Sequence, residues 1–129
     1  IQGKPMSNRS DVFAAIERYK QGFDEYDDEK IRDAFVWPHI LLANGTTTTL
    51  HEPLVTTAQM KATKNWARSI NWEIDVIAAS NTSAHVAVRN VQRVRADGSL
   101  IACVSGFYAL TKTDKGWKIF AISGITSPD

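Results

Sequence analysis

Disulfide bonding is closed to this chain, because Cys103 is the single cysteine among 129 residues. It sits inside an apolar run, which marks it as a small buried side chain in a reducing setting and not as a reactive thiol. No stretch approaches the ~20 apolar residues of a membrane-spanning helix, and the opening residues, IQGKPMSN, lack the apolar centre of a signal peptide. No membrane association and a cytoplasmic location are therefore expected. The start at Ile1 in place of Met is compatible with a trimmed end, an export signal removed earlier included. Charge of one sign is also lacking: 15 Lys and Arg stand against 14 Asp and Glu, a formal net charge of +1, and the two signs interleave. That excludes the basic stripe of a nucleic-acid binder. The three histidines, 39, 51 and 85, are far apart, and no HExxH, CxxC, GxGxxG or phosphate loop is present. Neither a metal nor any other cofactor is expected. Ser105 has no nucleophile elbow around it.

What is present is enough for one domain, since a chain of this length buries about two thirds of its unfolded surface without a staple. Residues 1–10 read as an N-terminal extension and 11–129 as a single domain. Ser10-Asp11 marks a helix start. Phe13, Ile16, Tyr19 or Lys20, and Phe23 then recur at helical spacing as far as Glu25. Asp27-Asp28 cap a second, shorter helix with Ile31, Ala34 and Phe35 inward, closed by Pro38. A strand from Pro38 to Asn44 follows, with Asn44-Gly45 as its turn and TTTTL as its partner. Thr56 or Thr57 opens a third helix, with Met60, Thr63, Trp66, Ala67 and Ile70 at helical spacing. After that the period changes to two. NWEIDVIAAS, AHVAVRNVQRVRA, SLIACVSGFYALTK and GWKIFAISGIT read as four strands, joined through Asn81-Thr82, Asp97-Gly98 and Asp114-Lys115-Gly116. The fold class is α+β: three helices in the N-terminal half, packed on an antiparallel sheet.

The strings WPHILLANG, AHVAVRNVQRVRADGS and FYALTKTDKGWKIFAISGI, in this order and after these helices, resemble the nuclear transport factor 2-like superfamily. The likeness is to its SnoaL-like, ketosteroid isomerase-like branch and covers nearly the whole chain. It implies a cone-shaped fold with a strongly curved sheet, an apolar cavity between helices and sheet, and a homodimer. Activities in such a family run from isomerases, dehydratases and cyclases to binders without chemistry, so fold alone does not choose among them. Laid ungapped on the ketosteroid isomerases, Tyr19 falls at a tyrosine of their oxyanion hole. Ala43 falls where they carry an aspartate base, and their second aspartate falls near Ser105 or Gly106. An alanine cannot abstract a proton, so steroid isomerisation by that route is not expected.

If Ala43 faces the cavity, strand alternation sends Leu41, His39 and Trp37 the same way and Ile40 and Leu42 the other. His39 then stands as an acid or base working near neutral pH, or as a packed ring bonded to a carbonyl. Trp37 and Leu41 are expected as cavity wall. His85, Arg89 and Arg93 share one strand face, which points either at the cavity, where an arginine would hold a carboxylate or phosphate, or at solvent with the valines inward. Of these His85 and Arg93 are carried as ligand contacts. Trp66 is carried as cavity lining, although Trp66, Trp72 and Trp117 all fit a core. Tyr108 and Ser123 add candidate hydroxyls, and Tyr19 is the candidate oxyanion donor. Glu25, Asp27 and Asp28 read as capping. The expected activity is binding of a small hydrophobic molecule, with conversion by acid-base chemistry. The alternative is a module without chemistry, or a dimeric adaptor packing through Ala102, Val104, Gly106 and Leu110.

Overall fold

A computed structural model describes residues 4–127. Helix α1 runs from Lys4 to Asp24, seven residues ahead of the Asp11 start expected from the sequence. Pro5 falls in the first turn, where a missing N–H has no helical partner to lose. Asn8 Nδ2 donates to Asn81 Oδ1 at 2.8 Å, and the Arg9 guanidinium donates to the Val76 carbonyl. The expected extension thus includes a helical segment docked on the sheet. Its buried stripe is Val12, Ile16, Tyr19 and Phe23, while Phe13 is turned outward.

Asp27 caps helix α2 (Asp28–Asp33), its carboxylate accepting from the Lys30 N–H at 3.1 Å. Helices α1 and α2 meet at Gly22, where an added Cβ would lie 2.6 Å from Ile31 Cγ1, so only glycine permits the approach. Strand β1 (Phe35–Ala43) begins directly after the Ala34 cap. Pro38 therefore lies inside the strand and does not end the helix; the run Phe35-Val36-Trp37 already favours extended backbone. The Trp37–Pro38 peptide is cis. Proline is tolerated because the pairing of this strand lapses between Phe35 and Ile40. The Asn44-Gly45 turn, both residues at positive φ, leads into β2 (Thr46–Leu50) as expected.

Helix α3 (Thr57–Lys64) opens on a Thr56/Gln59 capping box and stops at Asn65, which adopts the left-handed conformation at φ 57°. Trp66, Ala67 and Ile70 are consequently not helical, contrary to their spacing; Arg68–Ile70 forms the short strand β3. The meander follows as β4 (Glu73–Ala79), β5 (Ser83–Val94), β6 (Leu100–Thr113) and β7 (Gly116–Ser127). Strand order is β2-β1-β7-β6-β5-β3, with β4 also on β5. All pairs are antiparallel except β1 with β7. The result is a curved, antiparallel-rich sheet with the helices on its inner face, where Val12 and Ile16 join Val86, Val88, Leu110 and Ile119 in the core.

One irregularity in β5 decides the site. Val88 pairs with Gly106, but the next inward pair is Val91 with Val104, leaving Arg89 and Asn90 as a bulge with Asn90 at φ 58°. An extra residue shifts the period-two alternation by one. Ala84, Val86 and Val88 face inward before the bulge, and Val91 and Arg93 face inward after it. His85 and Arg89, read from the sequence as in line with Arg93, therefore lie on the opposite face. Cys103, expected as buried, is half-buried on the outer face, because the odd positions of β6 point outward. Ala102, Val104, Gly106 and Leu110, expected to meet a twin, face the interior instead.

Candidate functional site

Two adjacent chambers open between the helices and the inner sheet face. The outer one, about 380 Å³, is walled by α1, α2, β1, α3 and the segment before it. The inner one, about 50 Å³, reaches toward β5 and β6. Tyr19, Phe23, Met60 and Arg93 line both and stand where the two adjoin.

Trp37, His39 and Leu41 all line the outer chamber, as strand alternation requires, with Phe35 in the same row. His39 is 5 % exposed and stacks on Phe35, ring centroids 4.2 Å apart and planes within 19°. Trp37 meets the imidazole edge-on at 4.5 Å. The tryptophan is itself held by its Nε1–H donating to the Arg32 carbonyl at 3.0 Å and by the Arg32 guanidinium over its ring. His39 Nδ1 lies 3.2 Å from the Val36 carbonyl oxygen. A carbonyl only accepts, so Nδ1 carries the proton and Nε2 is the basic nitrogen. Burial holds the imidazole pKa below its ordinary value, partly opposed by the Val36 bond. The ring is thus neutral near pH 7 and competent to accept a proton.

The floor of the site is a pair of phenols. Tyr19 and Tyr108 stand with ring centroids 5.8 Å apart. Burial raises the Tyr19 pKa, countered by the neighbouring Tyr108 hydroxyl and by the positive charge of Arg93. Burial, and then Tyr19 itself, push Tyr108 well above the usual tyrosine value, with Arg93 pulling the other way. Both hydroxyls therefore stay protonated and can donate to a ligand oxygen. Space for the Tyr108 ring comes from Gly106, where an added Cβ would sit 2.7 Å from Tyr108 Cε1.

Trp66 is 2 % exposed and donates to Ser69 Oγ at 3.0 Å. It packs behind Phe23, away from both chambers, because the chain leaves α3 before reaching it. His85 lies on the outer face beside Phe107, turned there by the bulge that turns Arg93 in. Ser123 also faces outward, in register with Phe107 and Leu42. Sequence reading missed Leu50, Leu54 and Val55, which line the mouth, and Asp28, whose carboxylate accepts from the Thr57 N–H at 2.9 Å and fastens α2 to α3. The apolar pair Leu54-Val55 in an otherwise polar connection was the available signal. Among the described residues no three His, Cys, Asp or Glu side chains converge as metal ligands.

The profile of the family described as NTF2-like protein (DUF6841) matches residues 10–126. The chain belongs to that NTF2-like family. Among solved structures it is similar to a proposed dehydratase of the NTF2-like family from Streptomyces avermitilis, at TM-score 0.73 and 15 % identity over 94 % of this chain and 97 % of that one. A ketosteroid isomerase-like protein from Erwinia carotovora atroseptica matches at TM-score 0.65 and 16 % identity, covering 97 % and 98 %. A domain of unknown function with a cystatin-like fold from Nostoc punctiforme matches at 0.68 and 16 %, covering 95 % and 78 %. At these identities the likeness is one of fold. No curated protein matches the chain. No described helix is long and apolar enough to cross a membrane.

Proposed function

We propose that the chain binds a small hydrophobic molecule in the two-chambered cavity and moves a proton on it, in the manner of an isomerase, dehydratase or cyclase. The observation that carries this reading is His39, a buried neutral imidazole with a fixed tautomer, lining the same chamber as the protonated Tyr19. A base and an oxyanion donor in a largely apolar cavity are the parts that proton abstraction next to a carbonyl requires. In the ungapped register of the sequence likeness, Ala43 and either Ser105 or Gly106 fall where ketosteroid isomerases carry the carboxylates that do this work. The one carboxylate lining the chamber, Asp28, is engaged by the Thr57 N–H and hydroxyl, which favours His39 as the base.

The test is exchange of the α-hydrogens of 2-tetralone in D2O, followed by NMR. The native chain should catalyse saturable exchange, and His39→Ala should lower the rate by about 10²-fold or more while its circular dichroism is unchanged. Saturable binding of 2-tetralone without exchange would favour a binding module over an enzyme.

A second reading concerns assembly. Ile40, Leu42, Phe107 and Ile125 lie on the outer sheet face at 40, 41, 42 and 66 % exposure, with no element of the described residues over them. An apolar patch of this kind favours association, and a second copy of the chain is the proposed partner.

A further inference from the structure

We infer that the ligand is an amphipathic monocarboxylate whose carboxylate enters the inner chamber and pairs with Arg93; this rests on the reading of the cavity as a ligand site. Arg93 is the one cation lining the inner chamber, and no acidic side chain lines it. Among the described residues its guanidinium belongs to no ion pair. A half-buried guanidinium without an anion forgoes the pairing that would offset its lost hydration. The surrounding groups do not supply one: Ser69, Tyr19 and Tyr108 are neutral, and the rest of the lining is apolar or glycine.

Charge and shape select the anion. One cation balances one negative charge, and about 50 Å³ suits a small planar group. A guanidinium presents two parallel N–H donors that match the two oxygens of a carboxylate. Tyr19 and Tyr108, kept protonated, can donate to the same oxygens. The remainder of the ligand would lie in the outer chamber against Phe35, Leu41, Leu54 and Ile122, surfaces suited to an aromatic or aliphatic body. Arg32 and Lys64 line that chamber against the single acid Asp28, a positive balance that draws anions toward the mouth.

The probes are 4-phenylbutanoate and its neutral isostere 4-phenylbutanamide, titrated calorimetrically into the full chain at pH 7 and into Arg93→Gln and Arg93→Lys. The acid should bind the native chain at least tenfold more tightly than the amide. That preference should fall to within twofold in Arg93→Gln and survive in part in Arg93→Lys. Equal binding of acid and amide by the native chain would overturn the carboxylate assignment while leaving the cavity a ligand site, and this comparison needs no variant to fold. An acid preference undiminished in a folded Arg93→Gln would overturn the role of Arg93. Failure of both probes to bind the folded native chain would count against the ligand-site reading itself and take this inference with it.

Discussion

The inner and outer faces of the sheet are built from the same strands and both carry apolar side chains, yet among the described residues only the inner one is covered by helices. On the inner face Val86, Leu110 and Ile119 are 0 to 1 % exposed beneath α1. On the outer face Ile40, Leu42, Phe107 and Ile125 are 40 % exposed or more. The outer face is also divided along its width. Toward β4 and β5 it is charged, with Glu73 opposite Arg89 and an Arg89–Asp75 bridge at 3.4 Å, while toward β1, β6 and β7 it is apolar. An antiparallel sheet can leave one face to water when that face is polar throughout. Here half of it is not, and the apolar half is where a second copy is proposed to sit.

The comparison breaks most visibly by truncating one residue on each face. Leu110→Ala removes a fully buried side chain and should cost about 2–5 kcal/mol of unfolding free energy at any protein concentration. Phe107→Ser should change the unfolding of the monomer by about 0.5 kcal/mol or less, as surface substitutions do, and instead shift sedimentation toward smaller species. Urea melts at several concentrations separate the two effects. A concentration-independent monomer for the native chain would remove the self-association reading, and a harmless Leu110→Ala would contradict the placement of the core.

A smaller effect is expected at the residue that assigns side chains to faces. Asn90 holds a left-handed backbone in the β5 bulge, and its N–H is satisfied by Ser105 Oγ at 3.1 Å. A β-branched residue there meets steric strain of about 1–2 kcal/mol, whereas glycine meets none. Asn90→Val should therefore lower stability by about that amount and Asn90→Gly should stay close to the native chain. The Val variant should also weaken any binding that depends on Arg93, since the inward phase of Val91 and Arg93 begins at this bulge. Equal stability of the two variants in urea melts would show that the bulge is not held by its backbone conformation.

That bulge also marks where sequence reading stops. Local chemistry was legible: the caps within Asp27-Asp28 and Thr56-Thr57, Asn44-Gly45 as a turn, and the four-strand meander all appear where composition places them. So was the inward row Trp37, His39, Leu41, because side chains from Trp37 to Leu41 still alternate although the pairing of β1 with β7 is irregular before Ile40. His85 and Arg93 could not be assigned together, because periodicity assumes an unbroken strand and one inserted residue inverts every side chain beyond it. Trp66 was misplaced for a similar reason. Helical spacing continued past Asn65, but a left-handed cap ended the helix. The apolar pair Leu54-Val55 stands out in its polar connection, but that it and Leu50 meet at the chamber depends on long-range folding, which no local pattern encodes.

The gentlest probe of the inner face is pH. Burial depresses the His39 pKa in the folded state, so between the unfolded value of about 6.5 and the lower folded value the unfolded chain binds a proton that the folded chain refuses. Stability then rises with pH across that window. It should be at its full value above about pH 7, fall as pH drops through about 6.5, and level off once the folded ring is protonated too. Urea midpoints measured between pH 5 and 7.5 should show this slope in the native chain and a flatter profile in His39→Gln, which keeps a polar side chain without the titration. Parallel profiles would mean that the imidazole takes its proton as readily inside the chamber as in water. His39 would then lose its standing as a desolvated base, and the inner face its claim to be chemically different from the outer one.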